Sequence, residues 1–218
     1  KVELFIPLEG SQQELVQLAT DNARATLSAL KAQWEADTHR QEQALMELQQ
    51  ALELAGPPNR IECYDISNTQ GTAAVGSMVV FEQGTPKKSL YRRFNIRSVT
   101  GPDDFASMEE VLTRRFSRWQ AAQEASLVPG KKPDPSFALL PDLLLVDVYM
   151  PGCSGMELAA VIRQQDSHAT LPIVFLSTET DLGRQLTAIN LGGDDFLTKP
   201  VDFIKGPLVK KQLRFISD

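Results

Sequence analysis

The rhythm of hydrophobic and polar positions changes three times along the chain. An apolar opening, "KVELFIPL", reads as a short strand stopped by Pro7 and Gly10. Apolar side chains then recur at helical spacing, at Leu15, Leu18, Leu27, Leu30 and Trp34, and again at Leu45, Leu48 and Leu52 before "AGPP". Two scaffold helices are therefore predicted ahead of residue 57. From Ile61 the period is two. "IECYDI" puts Ile61, Cys63 and Asp65 on one face and Glu62 on the other; "AAVGSMVVFE" (73–82) and "SLYRRFNI" (89–96) follow, joined by the turn "QGTPKK". These three strands predict an antiparallel meander. An aspartate-capped helix comes next, with Phe105, Met108, Leu112, Phe116 and Trp119 on one stripe, and then the loop "VPGKKPDPS". From Leu143, short apolar strands ("LLLV", "IVFL", "FLT") alternate with helical segments. That grammar implies a parallel sheet covered on both faces.

Composition narrows the class. The 218 residues are 42% hydrophobic and 23% charged, enough to bury a core, and no apolar run approaches the roughly 20 residues of a membrane span. The chain starts without a signal-peptide block and reads as the interior of a longer gene product. Two cysteines, Cys63 and Cys153, form neither a disulfide framework nor a CxxC metal motif, which fits a reducing cytoplasm. The net charge of -6 argues against general nucleic-acid binding. It is unevenly spread: residues 87–118 carry a local balance of +4, while 1–56 and 141–204 carry -5 and -6. Only the middle segment suits phosphates. There Lys87, Lys88, Arg92, Arg93 and Arg97 run without an intervening acid, and Tyr91, Arg93, Asn95 and Arg97 share a strand face. Arg114, Arg115 and Arg118 on the next helix extend the candidate DNA-tracking surface; a solvated, aggregation-blocking edge is the competing reading.

Two acids stand inside apolar strands. Asp65 sits in "IECYDI" and Asp147 ends "LLPDLLLVD". A lone buried aspartate is costly unless paired or metal-bound, so both are candidates for chemistry. The lone histidines His39 and His168 are read as a solvated helix residue and a loop residue.

The segment "RIECYDISNTQGTAAVGSMVVFEQGTPKKSLYRRFNIRSVTGPDDFASMEEVLTRRFSRW", continued through "LLPDLLLVD", resembles the catalytic part of the UvrC family, the incision subunit of bacterial nucleotide excision repair. The resemblance implies an RNase H-like fold, in which a parallel strand lies beside the first of the meander. It also implies DNA and the excision-repair proteins as partners. A second resemblance follows. "PDLLLVDVYMPGCSGMELAAVIRQQ", "LPIVFLST" and "LGGDDFLTKPVD" are similar to the second half of a response-regulator receiver domain. By position, Asp147 is that family's phosphoacceptor, and Thr178 and Lys199 contact the phosphoryl group. The chain looks like a chimera joined inside "LPDLLLVD".

The expected fold is α/β: one mixed sheet in which the RNase H-like meander is continued by flavodoxin-like (receiver) parallel strands, with N-terminal helices. The expected organisation is a strand and helical scaffold (1–56), a UvrC-like front half (57–140), a receiver-like βαβαβ half (141–203) and a basic tail (204–218). RNase H-like incision implies carboxylates converging on Mg²⁺ or Mn²⁺, here Asp65 and Asp147 as catalytic metal ligands. The UvrC family's glycine-rich loop and later histidine are replaced here by "VYMPGCSG" and by His168 in a loop, so impaired incision is expected. The UvrC family's other modules, a GIY-YIG nuclease and a helix-hairpin-helix unit, have no counterpart in these residues. The alternatives are a receiver phosphorylated on Asp147, weakened because that family's acidic pair is reduced to Asp65 with Glu62 on the opposite face, and a folded chimera with neither activity.

Overall fold

The computed structural model describes residues 7, 9–69, 73–99, 101, 103–128, 130, 132–147, 162, 170–177 and 195–198. The chain divides into two compact units, Lys1–Gln43 and Ala44–Asp218. The two expected N-terminal helices are one, α1 (Ser11–Ala51). The reason is local: neither Gly nor Pro occurs between Ser11 and Ala55, so nothing breaks the hydrogen-bond ladder between the two leucine runs. The helix closes where Glu53 adopts a φ of 54° and the Leu54 N–H donates to the Gln49 carbonyl. Its apolar stripe in the first unit is uncovered, with Leu15 64% and Trp34 67% exposed.

The second unit is built on a seven-stranded sheet. Its strands are β1 (Arg60–Thr69), β2 (Ala73–Glu82), β3 (Thr85–Pro86), β4 (Arg92–Asn95), β5 (Leu143–Asp147), β6 (Ile173–Ser177) and β7 (Asp195–Thr198). They lie in the order β3-β2-β1-β5-β6-β7, with β4 also paired to β2. The meander is antiparallel, while β1, β5, β6 and β7 run parallel. The expected single mixed sheet is what forms. The third strand is shorter than expected, because a 3₁₀ turn at Lys88–Leu90 takes up its start. Gln83 and Gly84, both at positive φ, turn β2 back into β3 as a two-residue hairpin.

Alternation along the strands sorts side chains onto two faces. On one face Tyr64, Met78, Val80, Phe94, Leu144, Val146, Ile173 and Phe175 pack against Met108, Val111, Leu112 and Phe116 of α2 (Asp104–Ser126). The helix begins as its sequence predicts, with Asp103 accepting from the Ala106 N–H. On the other face Ile61, Leu143 and Val174 form a smaller cluster with Cys63, Leu145 and Leu176, covered by Leu45, Leu48 and Leu52 from the end of α1.

Gly76 shows how tightly α2 sits. A Cβ at this position would collide with Val111 Cγ2 and approach Ile66 Cδ1 to 3.3 Å. Val111 is fully buried and β-branched on a helix, so its side chain has no alternative rotamer to take. Gly76→Ala is expected to cost about 1–3 kcal/mol in urea unfolding. The double variant Gly76→Ala/Val111→Ala should then be less destabilised than the two single losses added together; strict additivity would rule out this contact as the cause.

Candidate active site

Register brings the two sequence-marked acids together. The parallel pair β1–β5 ends with Tyr64 opposite Val146, so Asp65 and Asp147 come next, side by side. Both lie on the face carrying Ile61 and Leu143; Asp147 is the last residue of β5, and Asp65 stands midway along β1, level with that carboxyl end. Open α/β sheets bind ligands at that end. Asp65 is exposed and Asp147 partly buried. The Ser67 hydroxyl donates to Asp65 Oδ2 at 3.1 Å, which biases the carboxylate's orientation. Among the described residues no cluster of three or more His, Cys, Asp or Glu forms a metal site. Two adjacent carboxylates still match the way Mg²⁺ is held, by one or two carboxylates with water and substrate phosphate completing its shell. The residues fit that ion.

The same face continues across β2 to β4. Asp65 is opposite Ser77, and Ser77 is opposite Arg93. Beyond that row, Ser67 meets Val75 and Val75 meets Asn95. A mostly polar strip of Arg93, Asn95, Ser77, Ser67 and the two aspartates thus lies on this face, level with the carboxyl end of β5.

The basic residues named from sequence do not act as one surface. Arg93 and Arg97 are exposed. Lys87 and Lys88 are exposed too, but the Lys87 N–H donates to Val80 O, which places them toward the opposite end of the sheet from Asp65. Tyr91 does not share the face of Arg93; it packs against the α2-side core. Arg114 is held by Glu110 at 2.8 Å and by the Asn95 carbonyl, over the Phe94 ring.

Arg115 requires a correction. Expected on a DNA-facing surface, it is fully buried and ion-paired to Glu62, with Nε at 3.0 Å from Oε2 and Nη2 at 2.7 Å from Oε1. Glu62 lies where its alternation puts it. As a strand residue out of phase with Asp65 it faces α2, so it adds no second acid to the site. There it also accepts from Arg60 Nε and Nη2 and, at 2.7 Å, from the Tyr64 hydroxyl. Burial first, and then the Glu62 charge, raises the Tyr64 pKa well above its usual value. Helical phase alone could have flagged Arg115, since it lies three residues after Leu112 on the buried stripe. Thr178, Lys199, Cys153 and His168 lie outside the described residues.

Glu110 anchors the chain that leaves β4. Partial burial pushes its pKa up, but hydrogen bonds from the Ser98 hydroxyl, the Ser98 and Arg97 N–H groups and Arg114 bring it down to about 2. A carboxylate depressed on folding stabilises the fold above its unfolded value of 4.5, and that contribution disappears as pH falls toward 2. Glu110→Gln should therefore cost about 1–2 kcal/mol at pH 7. The gap from the parent should close in unfolding curves below pH 3, and a gap independent of pH would contradict this account.

A cleft of about 380 Å³, lined by Leu54, Pro57, Pro141, Asp142, Leu171 and Pro172, opens at the amino ends of the parallel strands. It is therefore remote from the carboxylates.

Residues 49–172 match the UvrC RNAse H endonuclease domain. The chain belongs to the UvrC family. The UvrABC system protein C of Clostridium tetani is 39% identical over 210 residues, covering 88% of this chain and 32% of that protein. That of Dehalococcoides mccartyi strain CBDB1 is 46% identical over 147 residues, covering 67% and 23%. The chain thus spans a third or less of the curated UvrC relatives it matches. The UvrC match runs to residue 172, beyond Asp147, where the likeness read from the sequence stopped. Among solved structures, Ciona intestinalis Endonuclease V in complex with DNA aligns at 13% identity over 71% of this chain and 59% of that one, TM-score 0.34. A response regulator from Chloroflexus aurantiacus aligns at 26% identity over 53% and 89%, TM-score 0.28. Among the described residues no helix is long and apolar enough to cross a membrane.

Proposed function

We propose that the chain carries a UvrC-type DNA incision site in which Asp65 and Asp147 hold Mg²⁺ or Mn²⁺ and the phosphodiester is hydrolysed. The observation that carries this reading is the placement of the two carboxylates side by side, on one face, at the carboxyl end of β5 and the adjoining middle of parallel β1. When bound, such an ion makes water a better nucleophile and offsets charge on the leaving oxygen. The chain's own part is to supply two oxygen donors on rigid strands and to orient one of them through Ser67. The histidine of the family is not matched at its usual place, so proton transfer relies on solvent and incision is slow. DNA and the excision-repair proteins are the partners, in the cytoplasm.

A second reading has one observation in its favour. β1, β5, β6 and β7 lie adjacent in that order and are all parallel, with Asp147 ending the second of them. In a chimera retaining receiver chemistry, Asp147 would take a phosphoryl group. Thr178 and Lys199, which follow β6 and β7 directly in sequence, would contact it. With Glu62 on the other face, Asp65 would be the acid β1 contributes there.

One paired assay decides. Nicked or bubble DNA is incubated with the protein and Mn²⁺, and separately the protein is given a small-molecule phosphodonor and Mg²⁺, each with Asp147→Asn as control. Cleavage that the substitution abolishes supports incision. A base-labile adduct on Asp147 without cleavage transfers the assignment to the receiver reading. Neither product leaves an inert chimera.

A further inference from the structure

Adjacent arginines on β4 are sorted by the pleat onto opposite faces. Arg92 is opposite Met78 on the α2 side, where Asp134 pairs with it at 3.0 Å and it lies over the Phe137 ring. Arg93 is opposite Ser77, in the row that contains Asp65, with Asp147 beside it. It is exposed, and among the described residues no carboxylate forms a salt bridge with it. Neighbouring strands lie about 4.8 Å apart, which puts the Arg93 backbone roughly 10 Å from that of Asp65. The residue between them, Ser77, is small and presents a hydroxyl. A long cation at that distance, across a low polar floor, is placed to meet a second phosphate of a strand whose first phosphate is at the carboxylates.

We infer that Arg93, with Asn95 beside it, forms a phosphate subsite flanking the incision site, so that the DNA strand crosses the sheet from β5 and β1 over β2 to β4. The inference rests on the incision reading and adds a direction to it. Arg93 is a positioning residue. It fixes where along the backbone the carboxylates act and takes no part in bond breaking. Its guanidinium suits a phosphate through paired N–H donors, which a lysine reproduces only as a point charge.

The test uses the full chain and a fluorescent nicked duplex. Affinity is measured without divalent ions over a range of salt, and cleavage kinetics are measured with Mn²⁺. Arg93→Ala should weaken binding roughly tenfold, lower the salt slope by about one and raise KM more than it lowers kcat. Arg93→Lys should recover the slope but only part of the affinity. Arg24→Ala is the charge control, because it lies on α1 outside the basic segment, 3.6 Å from Asp21; it should leave the slope unchanged. Replacing one phosphate next to the cut by a neutral methylphosphonate should weaken the parent as much as Arg93→Ala does, and should weaken Arg93→Ala no further.

An unchanged slope in Arg93→Ala, an equal drop in Arg24→Ala, or no salt-dependent DNA binding by the parent would each overturn the subsite. Asp65→Asn separates the two claims. If it binds like the parent but does not cut, while Arg93→Ala is unaltered, the incision reading stands and the subsite falls. If Asp65→Asn cuts normally, the incision reading falls whatever Arg93 does.

Discussion

Glu62→Ala should lower the unfolding free energy by about 3–5 kcal/mol, the usual cost of removing one partner from a buried ion pair. Glu62 is 0% exposed and takes five hydrogen bonds, from Arg60 Nε and Nη2, Arg115 Nε and Nη2 and the Tyr64 hydroxyl. Arg60 has a second anion in Glu82 at 2.9 Å, whereas Arg115, also 0% exposed, pairs with Glu62. Loss of the Glu62 carboxylate would leave the Arg115 guanidinium buried with only the Leu139 carbonyl among the hydrogen-bond acceptors described for it. Desolvation opposes the Arg115 charge most strongly, but the Glu62 carboxylate and Tyr64 together outweigh it, so its pKa is raised in the fold. A loss of that size is a large share of the 5–15 kcal/mol typical of a domain. Urea midpoints at low and high salt check it, since a buried pair is weakly screened and the loss should be nearly the same in both. A change within about 0.5 kcal/mol would mean that the network is no keystone.

Asp65→Asn should abolish divalent-dependent cleavage, by a factor of 100 or more in the range of lost catalytic groups, while leaving the fold intact. The side chain is exposed, and the side-chain contact described for it is the Ser67 hydroxyl at 3.1 Å. Without divalent ions, the substitution removes one of two adjacent like charges and should be neutral or stabilise by a few tenths of a kcal/mol. Ligand linkage separates binding from catalysis. The parent should gain about 1.4 kcal/mol of stability at a Mn²⁺ concentration ten times its Kd, and the variant should gain little. A Mn²⁺-induced rise in Tm that is equal in both proteins would remove Asp65 from the metal site, whatever the cleavage result.

The strands of the mixed sheet were legible in the sequence because two local signals agree there, while their order followed from the resemblance to RNase H-like and receiver folds. Period-two strands around "QGTPKK" can only form a meander, and unbroken apolar runs such as "LLLV" have to be buried on both faces. The pairing of Asp65 with Asp147 followed from the RNase H-like resemblance, because period two sets a side chain's face only within its own strand. The count of N-terminal helices was not, because a change in leucine spacing looks like a boundary even where no Gly or Pro enforces one. The role of Arg115 was harder still. In a run of arginines every member looks solvent-facing until the helix phase is set against a sheet that holds a carboxylate in the right place.

Pattern by itself therefore determined the strands, their alternation and the face each residue takes within its own strand, because those follow from a periodicity of two within a segment. Only the tertiary structure decided which charges remain for function. Arg92 and Arg93, neighbours in sequence, part company across the pleat: one is held by Asp134 and Phe137, the other stands in the row of the carboxylates. Glu62 and Asp65 separate in the same way, into a structural ion pair and a candidate metal ligand. The physical reason is that a charge is spent or available according to what the opposing element brings within 3–4 Å of it, and that partner comes from a segment distant in the chain.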